Sequence, residues 1–383
     1  MELTRIVKGI ASLKLTVIFL LILVILIVGG TWDQAGHGLY HAQQKYFSSW
    51  GVWLLGFIPF PGTVPVLFAL FLNLLASLVT RIGFRLANTG MMIAHGGILI
   101  LLIGSFFTFY FSEESAIMLK KGESTTRSFS RHAWETAVWE LQPKNRSEEC
   151  KVYVVDTGPF QPGGISLFPD LNIQFTINQY HTNCTAFVSN EPKAADTGVC
   201  NASGIQLLEA KPAASEIEAN IPGGVFEITT LSPDNNRQTL LLYGEDRQPT
   251  PVTLNGRTVY FSLRRKEIPL PLSMTLLDFH MNMHPNSSIP KRFESRVRIK
   301  GIDPSVMERE AIISMNRPLR VQAYTFFQAS YFTTSDGTPY TILAVVKNSG
   351  RLIPYVSSIT IFIGLLIHFL IMGFRYYQTR GDQ

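Results

Sequence analysis

The side chains in this sequence with the clearest potential for chemistry are two histidines inside long apolar segments, His95 and His368. Ionisable residues are rare in membrane-spanning segments and tend to mark function there. A neutral imidazole in an apolar cleft can ligate haem iron, and Gly96 and Gly97 leave space beside His95 for a flat ligand or another helix. Each histidine also has a structural interpretation: a hydrogen bond between helices for His95, and contact with interfacial water for His368.

Four further side chains near the apolar segments are candidate contacts. Arg81 and Arg85 fill a short link between two of these segments. They could pair with the carboxylates of a ligand, or they could serve only to set the membrane topology. His37 and His41 stand four residues apart and fit a short amphipathic helix at the membrane surface, although they could also bind a metal or haem.

The remaining histidines and the cysteines form no catalytic pattern. His280 and His284 are four apart, but the segment DFHMNMHP is typical of a strand running into a turn, so we interpret them as surface histidines. Cys184 and Cys200 are predicted to form a disulfide if their domain is exported, with free thiols as the alternative. No hydrolase, zinc-protease or phosphate-loop motif occurs, so we predict no catalytic residues and no metal beyond haem iron.

Four apolar segments must position these side chains, and each approaches the roughly 20 residues that a membrane-spanning helix needs. They lie at 15–30, 64–80, 86–111 and 353–374. Between the third and fourth, short β runs, with 258–264 and 273–279 among them as separate strands, alternate with turn signals at 162–164, 222–224, 255–256 and 336–337. The predicted fold is therefore membrane α-helical, with four transmembrane helices, plus an all-β extracytoplasmic domain built as an antiparallel sandwich or distorted barrel.

The predicted organisation has three parts. Residues 1–111 hold three transmembrane helices with an outer loop at 31–63, residues 112–350 form the β-rich domain, and residues 351–383 hold the fourth helix and a tail. Lys and Arg cluster before the first span, between the second and third, and after the fourth, which predicts a multi-pass inner-membrane protein with both termini cytoplasmic and a periplasmic domain. The net charge of only +5 and the lack of a basic block give no reason to expect nucleic acid.

Short motifs recur in order along the whole chain. In the membrane part they are Gly30, Thr31 and Gln34; Leu72-Asn73-Leu74 with Ser77 and Arg81; and His95 with Gly97. In the β domain they are Leu270-Pro271-Leu272; Phe293, Ser295 and Val297; Asn316, Pro318 and Leu319; and Phe327-Gln328 with Ser330 and Tyr331. Together these motifs resemble the ResB/CcsB-type cytochrome c biogenesis proteins of system II.

The resemblance implies a haem-handling subunit of a cytochrome c synthase, which helps carry haem b across the membrane as a transient substrate and presents it to apocytochrome c. The family's membrane histidine corresponds to His95, as one axial haem ligand. A CcsA/ResC-type membrane subunit would supply the other ligand and a Trp-rich haem platform that this chain lacks. His368 is a second, weaker candidate ligand, and Arg81 and Arg85 are candidate propionate contacts.

One alternative function remains open from the sequence. The chain could be a membrane-anchored β domain that recruits apocytochrome or a partner subunit without binding haem. Whether it has an enzymatic step of its own, outside a complex with haem-lyase activity, is left open as well.

Overall fold

Four helices in the described part of the chain are long and apolar enough to cross a membrane: Leu13–His37, Thr63–Ile82, Leu86–Phe111 and Ile353–Gln378. The computed structural model describes residues 2–83, 85–140, 151–188, 201–231, 236–283, 290–304, 306–334 and 336–381. Its α-helices are α1 (Glu2–Ile10), α2 (Leu13–His37), α3 (Leu39–Ala42), α4 (Thr63–Ser77), α5 (Thr89–Phe111) and α6 (Ile353–Gly381). Two compact units result, a helical one (Met1–Glu113, Arg320–Thr325, Val346–Gln383) and a β unit (Glu114–Leu319, Phe326–Val345).

The loop between α2 and α4 folds into short elements. The single short helix expected around His37 and His41 is divided in the structure. His37 ends α2, Gly38 interrupts the helix with φ +82°, and His41 lies in α3, which runs into a π-helical turn at Gln43–Phe47. Next come strands β1 (Gly51–Leu54) and β2 (Ile58–Pro61), which pair as an antiparallel hairpin. Most of the segment 50–60 is therefore a hairpin.

Asn73 on α4 binds the junction between α1 and α2. Its Nδ2 donates to the carbonyl oxygens of Ile10, at 2.5 Å, and Ser12, at 3.1 Å, while the Thr16 hydroxyl donates to its Oδ1 at 2.6 Å. The Ile10 carbonyl falls where α1 ends and so lacks an intrahelical donor, whereas the Ser12 carbonyl also accepts from the Thr16 backbone N–H at 3.2 Å. Side-chain hydrogen bonds of Asn73 therefore join α4 to the two preceding helices.

Replacing Asn73 with leucine should therefore destabilise the helical unit by about 2 kcal/mol, because hydrogen bonds between membrane helices contribute roughly 0.6–1.7 kcal/mol each and the Ile10 carbonyl would lose its Asn73 donor. The measurement is unfolding of the full chain in mixed micelles. Ser77→Ala is the matched control, since its hydroxyl makes a single 3.3 Å bond to the Ala11 carbonyl. Equal effects of the two substitutions would contradict this account.

The β unit is built from antiparallel strands. They are β3 (Glu113–Lys120), β4 (Ser124–Glu140), β5 (Val152–Asp156), β6 (Ile165–Phe168), β7 (Ile173–His181), β8 (Cys184–Val188), β9 (Ile205–Ala210), β10 (Gly223–Thr230), β11 (Arg237–Tyr243), β12 (Thr250–Leu254), β13 (Arg257–Met283), β14 (Pro290–Gly301), β15 (Arg309–Ser314), β16 (Leu319–Val321), β17 (Tyr324–Thr333) and β18 (Pro339–Lys347).

These strands form a large, nearly closed sheet, a smaller four-stranded sheet and a two-stranded sheet of β8 and β9. The large sheet has the order β15-β14-β13-β4-β3-β18-β17-β16, with β12 and β5 paired at its side, and the four-stranded sheet has the order β11-β10-β7-β6. Buried aromatic residues connect these two sheets, with Phe175 stacked on Phe226 at 4.8 Å and on Phe261 at 6.2 Å between ring centroids. The predicted fold class, four transmembrane helices plus an antiparallel β domain, is confirmed.

Two local predictions are wrong. The runs 258–264 and 273–279, expected as separate strands, both belong to the single strand β13. The strand continues through Pro269 because its pairing with β4 shifts register there, and a sheet tolerates proline at such an irregularity. The turn expected at 222–224 is also absent, since Gly223 and Gly224 begin β10. Side chains there would collide: a Cβ on Gly223 would lie 2.7 Å from Cys184 Sγ.

Candidate functional site

Small residues bring α5 and α6 into backbone contact. A Cβ added to Gly90 would lie 2.3 Å from the backbone nitrogen of His368, and one added to Gly364 would lie 2.4 Å from the backbone nitrogen of Ala94. Such an approach is open only to residues with little or no side chain. We call this contact of Gly90 and Ala94 with Gly364 and the backbone of His368 the seam. The seam fixes the rotation of α5 about its axis, and therefore the direction in which the other side chains of α5 point.

His95 lies on a different face of α5 from the seam. It is five residues from Gly90, which is about 140° around an α-helix. The ring is half-buried, and its Nδ1 lies 2.8 Å from the carbonyl oxygen of Met91. Because a carbonyl only accepts, Nδ1 carries the proton and Nε2 carries the lone pair. This bond to the preceding helical turn sets the tautomer that an iron ligand needs.

His368 faces the seam itself, one turn after Gly364 on α6. Its Nδ1 is buried and has no hydrogen-bond partner among the described residues. The helices therefore do not bring the imidazoles of His95 and His368 onto a common face. The predicted role of His368 as a haem ligand stays a prediction.

Arg81 and Arg85 lie at the connection between α4 and α5. Arg81 is in the π-helical turn Leu78–Ile82, and Arg85 precedes a 3₁₀ turn at Leu86–Asn88. Both side chains are exposed. Both guanidinium groups are thus accessible to an anion near the N-terminal end of α5, which is the end closer to His95. Their predicted contact with propionates remains a prediction.

The predicted disulfide between Cys184 and Cys200 and the pair His280 and His284 each include one residue outside the described ones. Cys184 is buried, its Sγ lies 3.6 Å from the Ile221 carbonyl oxygen, and burial raises the pKa of its thiol to about 11. Cys200 lies outside the described residues, as does His284. His280 is on β13, exposed, with Nε2 3.0 Å from Asp278 Oδ2, which fits the surface role expected for it.

A buried polar network in the β unit was not predicted. Gln328 Nε2 donates to Thr341 Oγ1 at 2.8 Å, the Thr341 and Ser295 hydroxyls lie 2.8 Å apart, and Ser295 donates to Gln328 Oε1 at 2.7 Å. Each group can thus donate to the next around a closed ring that satisfies all three side chains. The sequence does contain a signal for this network, namely a polar residue at an inward-facing position of an alternating strand. Ser295, for example, stands between the buried residues Phe293 and Val297 on the same face of β14.

Two comparisons with known proteins bear on this chain. Residues 255–339 match the ResB-like family, and this range contains the β-domain motifs that include Ser295 and Gln328. Protein NrfI from Wolinella succinogenes is 36% identical over 106 residues, which are 27% of this chain and 11% of NrfI. The chain thus matches only about a tenth of that curated relative's length. The resemblance of this membrane protein to ResB/CcsB-type cytochrome c biogenesis proteins, inferred from the sequence motifs, is confirmed by these two matches.

Proposed function

We propose that this chain is a haem-handling subunit of a system II cytochrome c synthase. In this role it helps carry haem b across the membrane as a substrate and present it for covalent attachment to apocytochrome c. The match of residues 255–339 to the ResB-like family supports a place in cytochrome c biogenesis, while the haem-binding role rests on the helical unit. The observation that carries it is the imidazole of His95, held in a spanning helix with Nδ1 bonded to Met91 O.

The surroundings of His95 suit an axial ligand. Its Nε2 has no hydrogen-bond partner in the part of the chain that the structure describes, so the lone pair is available to iron. Gly96 is adjacent, and a Cβ placed there would meet no atom within 4 Å, which leaves room for the face of a porphyrin.

Charge completes the proposed arrangement. Arg81 and Arg85 would pair with the two propionates of haem at the cytoplasmic end of α5. The same basic residues, with those of α1 and of the end of α6, orient both termini towards the cytoplasm and the β unit towards the periplasm. A CcsA/ResC-type subunit would supply the second axial ligand, because α6 places His368 on the seam and not beside His95.

The test is the visible spectrum of the chain purified together with its membrane partner. We expect a Soret band in the wild type, loss of most of it in His95→Ala, and recovery when imidazole is added. His368→Ala is the matched control and should keep the band. Size-exclusion profiles of both variants check that the helices remain assembled.

A different outcome would support the non-haem alternative. If His95→Ala leaves the haem content unchanged, the proposed ligand is wrong. If the wild-type complex shows no Soret band and still captures apocytochrome c, the chain acts as a scaffold and the haem-binding proposal fails.

A further inference from the structure

Asp33, near the end of α2, holds three basic side chains around a carboxylate that is only 11% exposed. His37 Nδ1 lies 3.0 Å from Asp33 Oδ1. On the other oxygen, Lys45 Nζ lies at 3.2 Å and His41 Nε2 at 3.6 Å. The Lys45 ammonium supplies the counter-charge, so Asp33 does not need a protonated imidazole as its partner.

This geometry fixes the tautomer of His37. With Nδ1–H donated to the carboxylate, Nε2 carries the lone pair on a side chain that is 64% exposed. Metal-ligating histidines commonly donate their other ring N–H to a carboxylate, which orients the ring and raises its basicity. His41 differs, because its Nε2 is turned towards Asp33 and is not directed outwards.

The chain around His37 leaves space for a large flat ligand. Its neighbours are Ala35, Gly36 and Gly38, and a Cβ on Gly36 would meet no atom within 4 Å. Leu39 adds an exposed apolar side chain next to them. An imidazole with small neighbours and an apolar flank suits a porphyrin face better than it suits a hydrated ion.

The number of available ligands also favours haem, because one imidazole is enough to bind haem iron axially but is too few ligands for a bare metal ion. Protein sites for zinc supply three or four ligands, whereas haem iron already has four porphyrin nitrogens and needs only an axial donor. Within the described residues no group of three or more His, Cys, Asp or Glu side chains is arranged to hold a metal ion.

We propose that His37, positioned by Asp33, is an axial ligand for haem iron at the C-terminal end of α2, separate from the ligand at His95. The inference rests on the proposed haem function for its choice of ligand, but it requires no contribution from His95. Ligation by His37 would give haem a second binding position, at the end of α2 where the outer loop begins. Asp33 is a positioning residue in this site.

The experiment separates the two histidines. The full chain carrying His95→Ala is placed in lipid nanodiscs and titrated with hemin. We expect a Soret band typical of histidine-ligated haem, its loss in His37→Ala/His95→Ala, and its return with added imidazole. His41→Ala/His95→Ala is the matched control and should retain the band. Asp33→Asn in the same background should weaken hemin binding by about 10–100-fold without abolishing it.

Two results would overturn the proposal. One is an identical spectrum for His95→Ala with and without His37. The other is no histidine-ligated spectrum in His95→Ala at all, since His37 would then bind no haem. Neither result affects the Soret band of the wild-type complex at His95, so failure here is distinguishable from failure of the proposed function.

Discussion

Gly90→Ala is expected to separate α5 from α6 and to destabilise the helical unit by about 3 kcal/mol or more, the upper range for overpacking a tight contact. The added methyl would lie 2.3 Å from the backbone nitrogen of His368 and 2.6 Å from its Cα. Backbone atoms of a helix cannot rotate away as a flexible side chain does. The helices must therefore move apart along their length, which weakens every other contact of the seam.

The matched control is Gly96→Ala, on the same helix. A Cβ at Gly96 meets no atom within 4 Å, so the substitution should leave the unfolding free energy nearly unchanged. The measurement is unfolding of the full chain in mixed micelles, with size-exclusion chromatography to detect aggregated protein. Comparable stability of the two variants would show that Gly90 does not set the helix contact.

The seam also bears on the proposed haem ligand. Since Gly90 and Ala94 fix which face of α5 meets α6, a shift of the seam would rotate or displace His95 as well. We therefore expect Gly90→Ala to lower haem content together with stability, whereas His95→Ala should lower haem content alone. The two readouts distinguish a positioning effect from loss of the ligand.

The sequence predicted the helices well and the β unit in part, for different physical reasons. A spanning helix must be apolar over its whole length, so hydropathy alone marks α2, α4, α5 and α6. Strand limits depend on which partner is adjacent, and for that reason the single strand β13 was predicted as two runs, 258–264 and 273–279. Asn255-Gly256 was recognised because a tight turn needs positive φ, which both residues adopt.

The candidate site was predictable only as residue types. An imidazole among apolar residues identified His95, but the direction of its Nε2 follows from a bond to Met91 and from the seam at Gly90, which the spacing does not reveal. The ring of Ser295, Gln328 and Thr341 joins three strands that are distant in sequence. Such tertiary pairings cannot be inferred without knowledge of which strands are neighbours.

Arg264→Met is expected to destabilise the β unit by roughly 3–5 kcal/mol, the cost of leaving a buried charge without its partner. Glu135 on β4 has a side chain only 3% exposed, and Arg264 Nε on β13 donates to its Oε1 at 2.9 Å. The two residues stand opposite each other in the strand register. Removal of the guanidinium leaves the carboxylate enclosed by the sheet with no counter-charge from that position.

A second substitution shows whether this charge, and not the loss of packing, is the cause. In Glu135→Gln/Arg264→Met no carboxylate is buried, so we expect most of the lost stability to return. Arg298→Met is the surface control: Arg298 Nη2 lies 3.1 Å from Glu310 Oε1, with both side chains nearly half exposed, and such pairs contribute about 0–1 kcal/mol. Chemical denaturation of the full chain gives the three values. If the double variant is no more stable than Arg264→Met, the arginine acts through its aliphatic contacts, and the buried charge pair does not hold β4 to β13.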